Sequence, residues 1–348
     1  MDIEKLSEEQ LAGQRLMVGF EGIELNKTLM FLIDTIKVGG LILFVRNLST
    51  PDQIRRLCRS VQDYAEACGQ PHLFIAIDHE GGEVVRLRKP FTHFPGNSAM
   101  QSEADAVHFA TVSGKELKGV AVNMNMAPVL DVAPRHIKSV IEKRAFGADP
   151  TWVSRLGVKV IENLQQRGIM AVAKHFPGIG RTTVDSHFEM PAIDEDFSVL
   201  QSEDLVPFKA AMQHNVSGIM LSHIRYIKID PDWPASLSIK IAKHLLRDRM
   251  GFDRLVVTDD LDMEAIQKHY TIKTVITRIL SADIDLALIC HSKQKIEEAF
   301  EELFKAMCSF RHLKLKGKES VNRIAKLKKK YLMQTHPAPL NQNLGSLE

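Results

Sequence analysis

Eight short apolar runs recur along the chain, and segments with helical periodicity separate most of them. In chain order the runs are Arg15–Phe20, Gly40–Val45, Leu73–Asp78, Met124–Val132, Ile169–Phe176, Ser217–His223, Arg254–Asp260 and Asp285–His291. Near-continuous apolar strands that alternate with helices are typical of a parallel sheet covered on both faces. Eight such units predict an α/β fold in which the sheet closes into a (β/α)8 TIM-type barrel, all within a single domain.

The segments between the runs carry the signals of helices. The tetrapeptide STPD at 49–52 is a cap with proline near the first turn. Ala104–Val120 and Pro150–Gln166 are amphipathic. The basic stretch Ser320–Leu332 repeats apolar residues at helical spacing, so it predicts an amphipathic helix near the C-terminus. We expect one catalytic barrel with this helix over residues 1–333, and a flexible tail over 334–348.

Charge and composition exclude several classes of partner. The formal net charge of the 348 residues is +2, which gives no case for nucleic acid or a membrane surface. The polar, acidic start lacks the features of a signal peptide, and no run approaches the ~18 apolar residues of a membrane span. The four cysteines form no CxxC pattern and are expected to be reduced thiols of a cytoplasmic protein. We expect a monomer or a weak homodimer.

Polar residues follow nearly every apolar run at its carboxyl end. They are Arg46–Asn47, Asp78, Asp131, Lys174–His175, Ser222–His223, Asp259–Asp260 and His291. A barrel keeps its chemistry at the carboxyl ends of its strands, so these residues are the candidates for a site. His223 is expected to line the pocket, and Asp260 to point away from Asp259 and cap the next helix. For Asp131, a structural role and a substrate-binding role stay open.

Four motifs occur in a fixed order along the chain. They are IDHEGGEVVRLR (Ile77–Arg88), EKRAFGADP (Glu142–Pro150), KHFPGIGRTTVDSH (Lys174–His187) and LVVTDDLDM (Leu255–Met263). In this order they resemble the signatures of family 3 glycoside hydrolases, and in particular of the single-domain bacterial β-N-acetylhexosaminidases. The resemblance extends over most of the chain and implies hydrolysis of a small carbohydrate substrate, with no metal or cofactor.

The resemblance also implies roles for individual residues. The first acid after VVT, Asp259, takes the place of the family's catalytic nucleophile. In the Asp-Ser-His sequence, His187 would be the proton shuttle and Asp185 its orienting partner. The residues implied to bind the sugar are Asp78, Arg86, Arg144, Lys174 and His175. Beside them, His79 and Glu80 are expected only to hold the turn at Gly81–Gly82.

These residue types suit the implied reaction. A retaining glycosidase needs an ionised carboxylate at the anomeric carbon and a proton donor at the leaving oxygen. A histidine, with an ordinary pKa of about 6.5, suits both donating and accepting that proton. The resemblance thus implies a retaining exo-glycosidase that cleaves terminal β-N-acetylglucosaminide or related β-hexosaminide bonds, on cell-wall muropeptide fragments, through a covalent glycosyl-aspartate.

The chain departs from the family pattern on the loop that carries the dyad. KHFPGIGR replaces the usual KHFPGHGD, so Ile179 stands in place of a histidine and Arg181 in place of an acid. Such changes could alter the loop, and they keep open a catalytically impaired, sugar-binding homologue. A second alternative is a Schiff-base barrel aldolase that uses Lys174 as its amine nucleophile.

Overall fold

The computed structural model describes residues 3–183 and 190–332 and contains a closed parallel barrel. The strands are β1 (Leu16–Val18), β2 (Gly40–Leu43), β3 (Phe74–Ile77), β4 (Met124–Asn125), β5 (Met170–Phe176), β6 (Ala192–Ile193), β7 (Gly218–Leu221), β8 (Arg225–Tyr226), β9 (Asp230–Pro234), β10 (Leu255–Asp260) and β11 (Leu286–Ile289). Strands β1, β2, β3, β4, β5, β7, β10 and β11 form the barrel, which closes where β1 pairs with β11. The predicted (β/α)8 fold is confirmed, whereas the expected tail, 334–348, lies outside the described residues.

Helices surround the barrel. They are α1 (Glu8–Gly13), α2 (Lys27–Asp34), α3 (Pro51–Ala67), α4 (Glu103–Gly119), α5 (Pro150–Gln166), α6 (Phe197–Ser202), α7 (Leu205–Gln213), a π-helix (Ile239–Arg249), α8 (Glu264–Gln267), α9 (Ile272–Ser281), α10 (Lys293–Ser309) and α11 (Arg311–Leu332). The predicted cap is present, because the Thr50 side chain accepts a hydrogen bond from the Gln53 N–H at the start of α3. No helix within 3–183 or 190–332 combines the length and the apolarity needed to cross a membrane.

One predicted strand is much shorter than its apolar run. Only Met124–Asn125 of the run Met124–Val132 is regular strand. Pro128 lies in the middle of the run and has no N–H to donate to a neighbouring strand. Pairing resumes at a single bridge between Val129 and Lys174. The rest of the run is therefore irregular, although it stays buried.

Methionine and aliphatic side chains fill the interior of the barrel. The buried set includes Met17, Met124, Met126, Met170, Met220, Val172, Leu255 and Leu288. Methionine is unbranched and flexible, so it fills the irregular space between converging strands. The interior of the described barrel is a packed core, so a binding site on the barrel axis is expected at the carboxyl ends of the strands.

Helix α11 closes the opposite end of the barrel. Its residues Ile324, Leu327 and Tyr331 are buried in the same cluster as the interior methionines. Ser217, next to the start of β7, donates a hydrogen bond to the Tyr331 hydroxyl at 2.9 Å. The predicted amphipathic helix is confirmed, and its apolar side packs against the floor of the barrel.

A lysine of this helix, Lys328, is also buried in the floor. Its Nζ donates to Gln14 Oε1 at 2.7 Å and lies 5.0 Å from the centre of the Phe74 ring. Burial lowers the pKa of Lys328 to about 7. An unfolded chain would hold this proton up to a pH near 10.5.

We expect Lys328 to make stability depend on alkaline pH. Between pH 7 and 10 the unfolded state binds more protons at this position, so the free energy of unfolding rises with pH, by about 2–4 kcal/mol. Urea unfolding of wild type and Lys328→Met at pH 7 and 9.5 measures the gain, which the variant should lack. Lys329→Met removes an exposed neighbour and should keep the wild-type gain. Equal pH dependence in wild type and Lys328→Met would contradict the assignment.

Candidate active site

The sequence-predicted site residues within the described part of the chain converge at the carboxyl end of the barrel. Asp78 follows β3, Lys174 and His175 lie near the end of β5, His223 follows β7, and Asp259 lies in β10. The carboxyl ends of parallel strands point the same way around a barrel, which brings side chains distant in sequence to one opening. Arg86 and Arg144 reach the same place from the loops after β3 and β4.

Four charged side chains at this opening form a charge cluster. Glu80 and Lys174 are buried in it, whereas Asp78 and Arg144 are partly exposed. Lys174 Nζ lies 2.8 Å from Asp78 Oδ1 and 2.6 Å from Glu80 Oε1. Arg144 donates two hydrogen bonds to Glu80, from Nε at 2.9 Å and from Nη2 at 2.7 Å. Arg86 approaches from outside, with Nη2 3.8 Å from Asp78 Oδ2. The cluster thus ties the ends of β3 and β5 to the loop after β4.

The charges of the cluster keep one another ionised. Burial alone would raise the pKa of Glu80, but Lys174 and Arg144 outweigh it and lower that pKa to about 2. Burial likewise lowers the pKa of Lys174, but Asp78 and Glu80 outweigh it and raise the net pKa. Schiff-base chemistry needs an unprotonated amine. The environment of Lys174 therefore favours a fixed cation and argues against the aldolase alternative.

Glu80 is the residue that sequence reasoning underrated. It was expected only to hold a turn, yet its side chain is 2% exposed and pairs with two cations. A signal was present, because Asp78 and Glu80 stand two residues apart, the spacing that places side chains on one side of an extended chain. Its neighbour His79 is buried, and burial lowers the pKa of His79 to about 4, so its ring is neutral.

Asp259 is half-buried at the opening, and its carboxylate is kept ionised. Its Oδ1 accepts a hydrogen bond from the Asp260 N–H at 2.8 Å. Burial raises the pKa of Asp259, but the electrostatic influence of His223 and His175, the hydrogen bond from the Asp260 N–H and the charge of Lys174 together lower it below its ordinary value. An ionised carboxylate with lone pairs at the mouth is the state that a nucleophile requires.

Asp260 has a different environment from its neighbour. Its Oδ1 accepts from the N–H groups of Asp262 at 3.0 Å and Cys290 at 3.1 Å. Burial raises the pKa of Asp260 to about 7, and the nearby Asp262 and Asp259 charges also raise it. The expectation that Asp260 caps the next helix is wrong, since α8 begins after Met263 and has no side-chain cap. Asp260 instead holds the turn after β10 against the end of β11.

Two histidines flank Asp259 and are oriented by other groups. His175 Nδ1 lies 2.7 Å from Asp131 Oδ2, and the other Asp131 oxygen accepts from the Ile179 N–H at 2.8 Å. Asp131 is fully buried, which decides its role as structural. His223 Nε2 lies 2.8 Å from the Asp260 carbonyl, which can only accept, so this nitrogen carries a proton.

The predicted dyad, Asp185 and His187, falls within 184–189 and lies outside the described residues. The two residues that differ from the family pattern, Ile179 and Arg181, lie before this segment and within the described part of the chain. Ile179 is buried. Arg181, which has a positive charge where the family has an acid, forms ion pairs with Glu195, Glu203 and Asp204.

Most of the chain matches a known protein family. Residues 7–327 match the glycosyl hydrolase family 3 N-terminal domain. The chain belongs to glycosyl hydrolase family 3. A β-hexosaminidase of Nitrosomonas eutropha is 33% identical to this family 3 hydrolase over 324 residues, which cover 90% of this chain and 91% of that protein.

Solved structures of the family share the fold of this hydrolase. A family 3 β-N-acetylglucosaminidase from Paenibacillus sp. str. FPU-7 has a TM-score of 0.92 and 34% identity, covering 99% of this chain and 66% of that one. A β-N-acetylhexosaminidase from Beutenbergia cavernae DSM 12333 has a TM-score of 0.87 and 27% identity, covering 93% and 99%. The Paenibacillus protein therefore extends well beyond the part that matches this family 3 hydrolase.

Proposed function

We propose that this family 3 hydrolase is a retaining exo-β-N-acetylhexosaminidase with Asp259 as its nucleophile. The observation that carries the proposal is the ionised carboxylate of Asp259 at the barrel mouth. It lies at the same opening as the charge cluster around Lys174, whose side chains can hydrogen-bond a sugar. The names of the matched relatives, β-hexosaminidase and β-N-acetylglucosaminidase, support the same activity.

The proposed reaction has two displacements at one carbon. An Asp259 oxygen forms a bond to the anomeric carbon as the glycosidic bond breaks, and His187 gives its proton to the leaving oxygen. Water then attacks the same carbon, His187 takes a proton from it, and the bond to Asp259 breaks. Two inversions leave the β-configuration retained. In this scheme Asp185 orients the His187 ring and stabilises its protonated form.

The charge cluster supplies the contacts for the sugar. Asp78 is still partly exposed after pairing with Lys174, so its carboxylate can accept from sugar hydroxyls. The Arg86 side chain is partly exposed and brings Nη2 to 3.8 Å from Asp78 Oδ2, so its guanidinium can donate to a sugar hydroxyl beside that carboxylate. His175, Lys174 and Arg144 complete the proposed sugar-binding set, and His223 lines the wall beside Asp259. Because these charges are already paired, the site is ordered before substrate arrives.

An assay of the sugar tests the proposal. We expect hydrolysis of 4-nitrophenyl N-acetyl-β-glucosaminide and much slower hydrolysis of the matching glucoside. An inert protein that still binds N-acetylglucosamine would instead support the impaired homologue. Muropeptide fragments of the cell wall, met in the cytoplasm, are the substrates that the sequence resemblance favours. Faster release of N-acetylglucosamine from such a fragment than from chitobiose would support that finer assignment.

We expect His187→Ala to lose activity according to the leaving group. Loss of a general acid costs about 10²–10⁴-fold where the leaving oxygen needs a proton, and far less for activated aryl glycosides. Steady-state kinetics on an alkyl and a dinitrophenyl N-acetyl-β-glucosaminide measure the difference. His214→Ala removes a half-exposed histidine that pairs with Glu162 and serves as the matched control. Equal losses on both substrates would count against His187 as the acid.

Asp259 and Asp260 are adjacent acids, a pattern that is also compatible with a mechanism in which the substrate's acetamide is the nucleophile. The geometry does not favour it, because Asp260 Oδ1 accepts from the N–H groups of Asp262 and Cys290 and Oδ2 lies 3.6 Å from His291 Nε2, so the carboxylate is held in the turn after β10. A slow fluorinated substrate that labels Asp259 supports the covalent route. Turnover without a labelled aspartate would refute it.

A further inference from the structure

Strand β10 leaves the regular sheet at the point where it carries Asp259. Its parallel pairing with β7 ends at Thr258. Against β11 the register shifts between Val257 and Asp260, where β10 has one residue more than its neighbour. Such a bulge bends a strand and changes the direction of a side chain. The ladder of backbone hydrogen bonds therefore does not by itself fix the direction of the Asp259 carboxylate.

A buried histidine, His223, connects β7 to β10 beyond the end of their pairing. His223 follows β7, and its Nε2 donates to the Asp260 carbonyl at 2.8 Å. The same carbonyl accepts from the Met263 N–H at 3.0 Å, which is a contact within the turn after β10. The histidine thus links this turn to the neighbouring strand, whereas the Met263 contact is local.

The backbone of Asp260 in turn holds the proposed nucleophile. Its N–H donates to Asp259 Oδ1 at 2.8 Å. Only two soft dihedrals, φ and ψ, separate the N–H of a residue from its own carbonyl. A contact that fixes the Asp260 carbonyl therefore also limits the rotations that would turn its N–H away from Asp259.

A serine fixes the ring of His223 from behind. Ser236 Oγ lies 2.7 Å from His223 Nδ1. Because Nε2 carries the proton that the Asp260 carbonyl accepts, Nδ1 of that tautomer is free to accept from the serine hydroxyl. His223 and Ser236 are both 0% exposed. They therefore lie within the wall of the site, behind the surface that a sugar can touch.

We propose that the Ser236–His223 pair positions the nucleophile, because it replaces the ladder contact that β10 lacks beside Asp259 and so aims the carboxylate at the anomeric carbon. The inference rests on the proposed function, which assigns the attack on that carbon to Asp259. His223 is then a positioning residue that acts through the Asp260 backbone. An error of 1 Å in the place of a reacting group can cost about 10²-fold in rate.

Kinetics on two leaving groups test the role of His223. We expect His223→Leu, which removes the donor, to lower kcat/KM about 10–10²-fold on both an alkyl and a dinitrophenyl N-acetyl-β-glucosaminide, because both need attack by Asp259. The inhibition constant of N-acetylglucosamine should change by less than about threefold, since the contacts to the sugar are kept. His223→Gln can supply an amide N–H in place of Nε2 and should restore part of the loss.

Ser236→Ala is a milder variant that acts only through the ring. It should lower kcat/KM on both glycosides about three- to tenfold, the usual effect of losing one hydrogen bond. It also keeps the inference testable if His223→Leu does not fold. Ser113→Ala is the matched control, because it removes another fully buried serine hydroxyl, which donates to the Phe109 carbonyl at 2.6 Å within α4. It should keep the wild-type kinetics.

The tautomer of His223 gives a readout that needs no activity. Long-range proton–nitrogen NMR spectra of histidine-labelled protein, assigned by the signal that His223→Gln loses, should show the proton on Nε2 in wild type and in Ser113→Ala. The Nδ1 resonance should shift in Ser236→Ala, because its hydrogen-bond donor is gone. A proton on Nδ1 in wild type would overturn the inference.

Three kinetic outcomes in His223→Leu would also overturn it. A raised inhibition constant for N-acetylglucosamine would make His223 a sugar contact, and a loss confined to the alkyl glycoside would assign it to proton transfer. Unchanged kinetics would leave it no role in the reaction. A wild type that hydrolyses neither glycoside would instead refute the proposed function, while the NMR spectra would still show whether Ser236 and the Asp260 carbonyl hold the ring.

Discussion

Asp259→Ala is expected to abolish turnover while the protein keeps its fold. The carboxylate is the only group that the proposed mechanism uses to bond the anomeric carbon, so kcat should fall by at least about 10⁴-fold. The loss should be similar for alkyl and dinitrophenyl glycosides, because bond formation by Asp259 is needed for both. Steady-state kinetics measure the loss, and the unfolding midpoint checks the fold.

Chemical rescue makes this prediction specific. In Asp259→Ala, azide can enter the vacated space, bond the anomeric carbon of the dinitrophenyl glycoside and displace the phenolate, which gives an α-glycosyl azide. Asp260→Asn is the matched control, since an amide oxygen still accepts from the N–H groups of Asp262 and Cys290. It should retain most activity. A β-configured azide product, or full activity in Asp259→Ala, would contradict the assignment of the nucleophile.

Glu80→Gln is expected to produce the largest loss of stability. The substitution keeps the shape of the side chain but leaves Arg144 and Lys174 without their shared counter-charge in a buried place. Removing one partner of a buried ion pair costs about 3–5 kcal/mol. Urea unfolding at pH 7 measures the change. Glu83→Gln is the control, because Glu83 is exposed and pairs with the exposed Lys143, and it should behave as wild type.

The pH dependence of the same variant gives a second check. The pKa of Glu80 is about 2 in the folded protein against an ordinary 4.5, so its contribution is complete above about pH 4.5 and is lost as the pH falls through 2. The difference in unfolding free energy between wild type and Glu80→Gln should therefore shrink as the solution is acidified below pH 4.5. A difference that stays constant from pH 7 to pH 3 would argue against the buried pairing.

The barrel and the place of its site could be predicted from the sequence because both follow from patterns along the chain. Apolar runs that alternate with helices require a parallel sheet, and a strand-end residue such as Asp78 or Lys174 must then lie at the mouth. The ion pairs that these charged residues form could not be predicted. Nothing local in the sequence shows that Glu80, after β3, shares its charge with Arg144 and Lys174, because that contact exists only once three separate segments meet.

Backbone chemistry explains the other differences. The run Met124–Val132 is apolar enough for a long strand, but Pro128 interrupts its hydrogen bonding. Likewise, Asp259 and Asp260 are identical residue types, and only the direction of each side chain separates a carboxylate of lowered pKa from one of raised pKa. Sequence patterns specify which residues approach the mouth, whereas folding determines their ionisation.

Helix α11 has a consequence for synthesis on the ribosome. Translation proceeds from the amino end, so Ile324, Leu327 and Tyr331 emerge after every strand of the sheet. Until they do, the apolar interior of the barrel is exposed to water at the amino ends of the strands. A nascent chain stalled near residue 310 should therefore expose an apolar surface that chaperones bind, and a truncation that removes this last helix should reduce the yield of folded enzyme.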